Sequence, residues 1–227
     1  MKKKLSICIP VFNKWNFTKA CLDDLSKLPN DHEIIVIDNC SNDETESCLK
    51  NSTEIVYHRN QTNTGFSKAC NKAYSLSSAD NVLFLNNDIR VKADKETWTK
   101  KIIKLCDYAI VGPTMGQLDK QFNFIQEANR ALPGMSYMSG WCIASSKEIW
   151  KKLFISDGEV FSEEFGIAYF EDTDLSFRAK ELDIPFHIVE IPVVHFGRVT
   201  SKQLNTHQLY SNARSIFVKK WEKRIKK

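Results

Sequence analysis

No run of apolar residues in this chain approaches the roughly 20 that a helix needs to cross a bilayer, so the sequence predicts no spanning segment. The basic start, Met1-Lys2-Lys3-Lys4, is followed by an apolar stretch that runs only from Leu5 to Phe12 and contains Pro10. That is a first strand rather than an export signal. None of the seven cysteines (Cys8, Cys21, Cys40, Cys48, Cys70, Cys106, Cys142) stands in C-x-x-C spacing, and no cluster of Cys and His offers a zinc site. Scattered in largely apolar surroundings, they read as reduced, mostly buried thiols of a cytosolic protein. A strong charge of either sign is also missing: 32 Lys and Arg against 28 Asp and Glu leave +4, too little by itself to imply nucleic acid. There is neither a Walker loop nor a G-x-G-x-x-G fingerprint, and no internal repeat, low-complexity tract or linker.

What is present is an ordinary globular balance, 42% hydrophobic and 26% charged over 227 residues, enough for one domain or for two halves packed around a cleft. The basic excess gathers at Lys2–Lys4 and in the tail from Lys219 to Lys227. Such an end is a solvated helix, or a surface for anionic lipid or a polyanionic acceptor.

Short apolar runs alternate with helical patterns through the first half. Leu5–Val11, Glu33–Asp38, Glu54–His58, Val82–Leu85 and Tyr108–Val111 are rich in Val and Ile without strict alternation, as in strands buried on both faces. Helices are expected over Asn16–Lys27, Asp43–Lys50 (capped by Ser41 or Asn42), Phe66–Leu76 and Lys95–Leu105. This rhythm predicts an α/β fold with a mainly parallel sheet flanked by helices, whose strand-end loops share one edge, the edge that binds ligands in open sheets. Beyond it, Gly116–Pro133 reads as a long loop, Met138–Ala144 and Phe186–Val194 as strands, and Glu171–Leu182 and Lys202–Lys220 as helices.

The strand ends carry the chemistry. Pro10 and Asp38 would face one crevice, where Asp38 suits a nucleobase imide or a ribose hydroxyl, although an aspartate there also makes a turn and cap. Gly65 permits close backbone approach, and the helix after it would present free N–H groups to a diphosphate. Asp88 closes the apolar strand Val82–Leu85 and suits magnesium or manganese, which would neutralise a leaving diphosphate. Glu171, Asp172 and Asp174 open a helix, where the dipole favours anions and one of them could deprotonate a hydroxyl. His195 could complete a metal shell with Asp88.

These segments, in this order, resemble the family 2 inverting glycosyltransferases with the GT-A fold. Ile9-Pro10-Val11-Phe12-Asn13 resembles the opening strand, and Val36-Ile37-Asp38-Asn39-Cys40-Ser41 the nucleoside-binding aspartate and its serine turn. Asn63-Thr64-Gly65-Phe66-Ser67-Lys68-Ala69-Cys70-Asn71 resembles the N-x-G-x-x-x-A-x-N segment. Asn86-Asn87-Asp88 resembles the metal-binding D-x-D, with asparagine in the first place. Ser139-Gly140-Trp141-Cys142 is similar to the segment lining donor sugar and acceptor. Glu171-Asp172-Thr173-Asp174 resembles E-D-x-D, whose first aspartate is the general base, and Val194-His195 the late metal-binding histidine.

The resemblance implies a single domain over 1–227, with a nucleotide-binding half (1–112) and an acceptor half (113–227) that ends in the basic helix. It implies a UDP- or dTDP-sugar donor held by Pro10, Val11, Asn13, Asp38, Asn39, Gly65, Lys68, Asn86 and Asn87. Magnesium or manganese would sit on Asp88 and His195, and Asp172 would be the base. Gly140, Trp141, Glu171 and Asp174 would face the sugars, and Trp141, Met138 and the Gly116–Pro133 loop would shape the acceptor pocket. A glycan or lipid-linked glycan, as in polysaccharide biosynthesis, is the implied acceptor, with a protein side chain or a nucleic-acid base as alternatives. The expected location is the cytoplasm, with the basic tail suited to the inner face of a membrane. Two other readings compete: a sugar-1-phosphate nucleotidylyltransferase, against which stands the missing glycine in Pro10–Lys14, and a catalytically weak nucleotide-sugar-binding module, which Asn86 favours.

Overall fold

The computed structural model describes residues 4–92, 97–197 and 205–225. Its centre is a seven-stranded sheet. Strands β1 (Leu5–Val11), β2 (His32–Asp38), β3 (Ile55–Arg59) and β4 (Asn81–Leu85) are parallel to one another, in the order β4-β1-β2-β3. Their apolar runs are continuous because both faces are covered. Leu5, Ile7, Ile9 and Val11 of β1 point into a core shared with α1 (Trp15–Leu25) and α4 (Thr97–Cys106). Cys8 points into the opposite core, with α3 (Gly65–Leu76), α5 (Lys147–Lys152) and α6 (Glu171–Glu181). The short α2 (Thr45–Leu49) follows β2. Burial raises the thiol pKa of Cys8, Cys21, Cys70, Cys106 and Cys142, and none of the seven cysteines forms a disulfide.

The second half extends the sheet with a change of direction. Strand β10 (Cys142–Ser146) lies antiparallel between β4 and β6 (Ile110–Gly112), and β11 (Phe186–Ile188) pairs parallel with β6. Because β10 is antiparallel, the loop before it lies at the same edge as the loops after β1, β2 and β4. Pro10, which has no N–H to donate, causes no broken ladder there, since the pairing of β1 with β4 ends at Cys8–Phe84. A ribbon of β5 (Ile89–Val91) and β12 (Val193–His195) sets Ile89 opposite His195. The ribbon is tied to α1 through Asp24, which accepts from Arg90 Nε at 2.7 Å and Val91 N at 3.0 Å.

Several expectations need correction. Gly116–Pro133 is not a plain loop: β7 (Met115–Leu118) and β8 (Phe124–Ala128) form a hairpin that β9 (Ser136–Met138) extends to three strands. Met138–Ala144 is broken at Ser139–Trp141 into β9 and β10, which belong to different sheets, and Phe186–Val194 divides into β11 and β12 in the same way. Helix α2 is capped by neither Ser41 nor Asn42; its cap position is Glu44, and Asp43 Oδ1 accepts from Thr45 N at 3.1 Å. The last helix, α7 (Thr206–Ile225), begins later than Lys202 and continues past Lys220. Of the other expected positions, Lys2, Lys3, residues 95–96, 202–204 and 226–227 lie outside the described residues. Among those described, no helix is long and apolar enough to cross a membrane.

Candidate active site

Loops from both halves meet at the carboxyl edge of the sheet around a cleft of about 330 Å³. The first half contributes Pro10, Val11 and Phe12 after β1, Asn39 after β2, Asn63, Gly65 and Phe66 at the start of α3, and Asn86, Asn87 and Asp88 after β4. From the second half come Glu127, Tyr137, Ser139, Gly140, Trp141, Ile167–Tyr169, Glu171, Asp172 and His195.

Asp88 and His195 form one corner. The ribbon β5–β12 brings them together: Phe196 N bonds Asp88 O at 3.0 Å, and His195 Nε2 lies 3.1 Å from Asp88 Oδ1. That oxygen is buried and receives no hydrogen bond. Asn86 Nδ2 lies 3.4 Å from the same imidazole nitrogen, and Asn87 is turned away to bond Thr18 Oγ1 at 2.8 Å. Trp141 stacks on the His195 ring with centroids 4.6 Å apart and planes 14° apart. Its indole N–H is fixed at 2.9 Å by both Thr114 Oγ1 and Glu127 Oε1.

Among the described residues no group of three or more His, Cys, Asp and Glu side chains converges as a complete metal cage. An orphaned buried carboxylate oxygen beside an imidazole nitrogen nevertheless fits magnesium or manganese. These ions are held by one or two protein ligands and take the rest of their shell from phosphates and water.

Asp172 and Glu171 form the facing wall, at the first turn of α6. Asp172 Oδ2 accepts from Gly140 N at 2.9 Å, and Oδ1 from Thr173 N at 2.7 Å. Those bonds and the helix dipole favour the anion, yet burial outweighs them and pushes the Asp172 carboxyl above the usual aspartate range. Glu171 is raised as well, by burial first and then by the Asp172 charge, and its Oε2 is buried without a hydrogen bond. A raised carboxyl in a cleft suits general acid–base work. The turn into this helix is strained: Tyr169 and Phe170 both have positive φ, 81° and 67°, at a cost of about 1–3 kcal/mol each.

Twelve of the residues expected in the site line this cleft: Pro10, Val11, Asn39, Gly65, Asn86, Asn87, Asp88, Gly140, Trp141, Glu171, Asp172 and His195. The others do not. Asp38 is fully buried, and its carboxylate is spent on Ser41 N, Tyr57 Oη and Arg59 Nη1, each at 2.7 Å. Asn13, at φ 57°, joins the first two loops instead, donating from N to Ser41 Oγ and accepting from Asn42 N. Lys68 is exposed, with Nζ 3.9 Å from Glu163 Oε2. Asp174 is fully buried behind the cleft, against Arg178, Lys220 and Trp221, and Met138 is buried in the core.

The helix after Gly65 also presents fewer free N–H groups than expected, since Gly65 N bonds Asn63 Oδ1 at 3.0 Å and Phe66 N bonds Ile167 O at 2.9 Å. Gly65 is required for another reason: its φ is +87°, and a Cβ would stand 2.4 Å from Gly166 O.

Sequence reasoning reached Phe12, Glu127 and Ser139 only through the segments Pro10–Asn13, Gly116–Pro133 and Ser139–Cys142, and gave no role in the site to Phe66, Tyr137 and Ile167–Tyr169. The length of the 116–133 segment and the proximity of Tyr169 to the acidic cluster were the signals for Glu127 and Tyr169.

Comparison with known proteins agrees with this architecture. A glycosyltransferase, GlyA, from Streptococcus pneumoniae serotype 4 is 29% identical over 106 residues, 44% of this chain and 15% of that protein. A glycosyltransferase of Rickettsia prowazekii (strain Madrid E) is 23% identical over 238 residues, 96% of this chain and 73% of the relative. The mannosyltransferase PcManGT of Pyrobaculum calidifontis, solved with GDP-Man and Mn2+, superposes with a TM-score of 0.63 at 15% identity, over 83% of this chain and 55% of its own. GalNAc-T7, solved with UDP, GalNAc and Mn2+, gives 0.69 at 14% identity, over 85% and 43%. The chain thus spans about half the length of these structures or less, and what they share with it is the GT-A fold. The family model for glycosyl transferase family 2 matches residues 6–154, well over half of the sequence, and the chain belongs to that family.

Proposed function

We propose that the chain moves a sugar from a nucleotide-diphosphate donor to an acceptor hydroxyl with inversion at the anomeric carbon. One observation carries this reading: a metal-suited pair, Asp88 and His195, and a carboxyl suited to proton transfer, Asp172, line the same cleft. Residues 1–112 supply the donor half and 113–227 the acceptor half. Pro10–Phe12, Asn39 and the turn at Gly65 cradle the nucleoside, and Asn86 and Asp88 face the diphosphate. A magnesium or manganese ion, held by Asp88 and His195, would offset charge on the leaving diphosphate, the role in which positioned charge contributes most.

The stack of Trp141 on His195, fixed by Thr114 and Glu127, keeps the imidazole edge toward Asp88. Asp172 accepts, at a carboxylate oxygen, the proton of the acceptor hydroxyl as the hydroxyl oxygen attacks the anomeric carbon, and the bond to the diphosphate breaks on the opposite face, releasing the nucleoside diphosphate. Gly140 N–H holds this carboxylate in place. Related structures hold GDP-Man, UDP or UDP-GlcNAc, so guanosine and uridine donors are the first to test.

Asp172→Asn keeps the shape of the side chain and removes the base. It should abolish transfer while donor affinity, measured by calorimetry with Mn2+, stays within about twofold. Full turnover in that variant would falsify the assignment.

A further inference from the structure

Helix α7 takes no part in the chemistry described so far and lies beyond the residues that the family model matches. Yet it grips both second-half walls of the cleft. On one side Tyr210 Oη accepts from the backbone N–H of Phe124 at 3.3 Å, Arg214 donates to the Gln121 carbonyl, and Phe217 meets Phe122 edge-on at 5.6 Å. These contacts hold the β7–β8 hairpin, which carries Glu127 to Trp141. On the other side the Tyr210 ring packs on Tyr169 at 5.6 Å and on Phe170 at 5.3 Å, and Phe217 lies 5.0 Å from Phe170. One turn further along, Trp221 Nε1 and Lys220 Nζ each reach Asp174 Oδ1 at 2.8 Å. Asp174 N in turn bonds Phe170 O at 2.8 Å.

Tyr169 and Phe170 adopt backbone angles that bulky L-residues rarely take, and such a turn persists only where its surroundings over-determine it. Here the surroundings are α7, and the two residues that follow the turn are Glu171 and Asp172.

We propose that α7 is a buckle for the active site: Tyr210 and Asp174 are positioning residues that hold the Tyr169–Phe170 turn and so aim Asp172 across the cleft. This rests on the reading of Asp172 as the base. The test uses the full chain and two mild variants. Tyr210→Ala removes the ring that packs on the turn, and Trp221→Phe removes only the indole donor to Asp174. UDP-GlcNAc and GDP-mannose, each with Mn2+, serve as probes, with binding read by calorimetry and nucleotide release by steady-state rate.

For the probe that the wild type turns over, kcat should fall about 10²-fold in Tyr210→Ala, the loss that follows from a misplacement of roughly 1 Å. It should fall about tenfold in Trp221→Phe, while affinity for the probe stays within about twofold. Hydrogen exchange should quicken over residues 163–172 and not over β1. Wild-type kcat in both variants overturns the proposal, and so does a matching loss of affinity and kcat, which marks general loosening. If the wild type turns over neither probe, its donor is another nucleotide sugar, and the reading of Asp172 as base is decided separately by Asp172→Asn with that donor. Hydrogen exchange then decides the buckle alone: unchanged protection over 163–172 in Tyr210→Ala refutes it.

Discussion

Replacing Gly140 by alanine would put a methyl carbon 2.9 Å from Asp172 Cβ and 3.3 Å from its Oδ2. Carbon atoms rest about 3.5–4.0 Å apart, so one side must yield by about 0.6 Å or more. Neither side is free to do so. The Gly140 amide holds Asp172 Oδ2, Thr173 N holds Oδ1, and the residue after Gly140 is pinned by the stack on His195. Movement that relieves the clash therefore weakens the bond from Gly140 N. A hydrogen bond to a charged acceptor contributes about 1.5–3 kcal/mol, and each ~1.4 kcal/mol is tenfold in rate, so kcat should drop roughly 10- to 10²-fold.

The pH effect has a definite sign. The Gly140 N–H favours the ionised carboxyl, so losing it raises a pKa that burial has already raised. A base works only when ionised, hence the acid limb of kcat against pH should move to higher pH. Gly140 is not among the glycines with positive φ, so alanine adds no left-handed backbone strain, and the weakened hydrogen bond alone should lower Tm by about 3–12 °C. The assay is a pH series of initial rates with a donor that the wild type turns over. An unmoved acid limb together with an unchanged kcat would show that Gly140 does not hold the working carboxylate.

Other substitutions test the electrostatics. Burial and the Asp172 charge raise the pKa of Glu171. A carboxyl raised in the folded state adds stability below its unfolded pKa of ~4.3, and that stability is lost as pH rises through the folded value. Glu171→Gln should thus gain about 1–2 kcal/mol at neutral pH, with the gain vanishing in acid; equal melting at neutral pH counts against it. Asp38→Ala strands Arg59 and Tyr57. Because Arg59 stays partly exposed, the cost should be at the low end for a buried pair, about 3 kcal/mol, or roughly 6–12 °C in Tm; a loss of under ~2 °C would contradict the role of Asp38 as the strut of the loops. Asp88→Asn should weaken Mn2+ binding, followed by electron paramagnetic resonance, by at least about tenfold, and equal affinity would mean that the ion binds elsewhere.

The strands buried on both faces were legible because their apolar runs are unbroken and punctuated by turns. Val82–Leu85 predicted β4 to within one residue. The β7–β8 hairpin was not legible, since Gln117, Gln126 and Glu127 bring polar side chains to a partly solvated small sheet with no apolar alternation. The apolar stretch Met138–Ala144 hid a break because nothing in its composition says that β9 and β10 pair with different partners.

In the site, recurrence at one sheet edge singled out Asp38, Gly65 and Asp88, of which Gly65 and Asp88 line the cleft. It misassigned Asp38, whose partners become visible only through the register that sets Arg59 opposite Asp38 and Tyr57 opposite Val36. Asp174 was misread by proximity in sequence. Two residues along a helix are about 200° apart, so when Asp172 faces the cleft Asp174 faces the other way, into α7.

The antiparallel insertion of β10 also bears on how the site comes into being. Strands β1 to β4 leave the ribosome in succession and pair among themselves, β4 returning to β1, so this part of the sheet can form early during synthesis. Trp141 must wait for β10 to enter beside β4, and His195 for β12 to reach β5. The corner of Asp88 and His195 therefore closes only after β12 has been made, and nascent chains that stop before β12 would carry Asp88 with that corner unfinished.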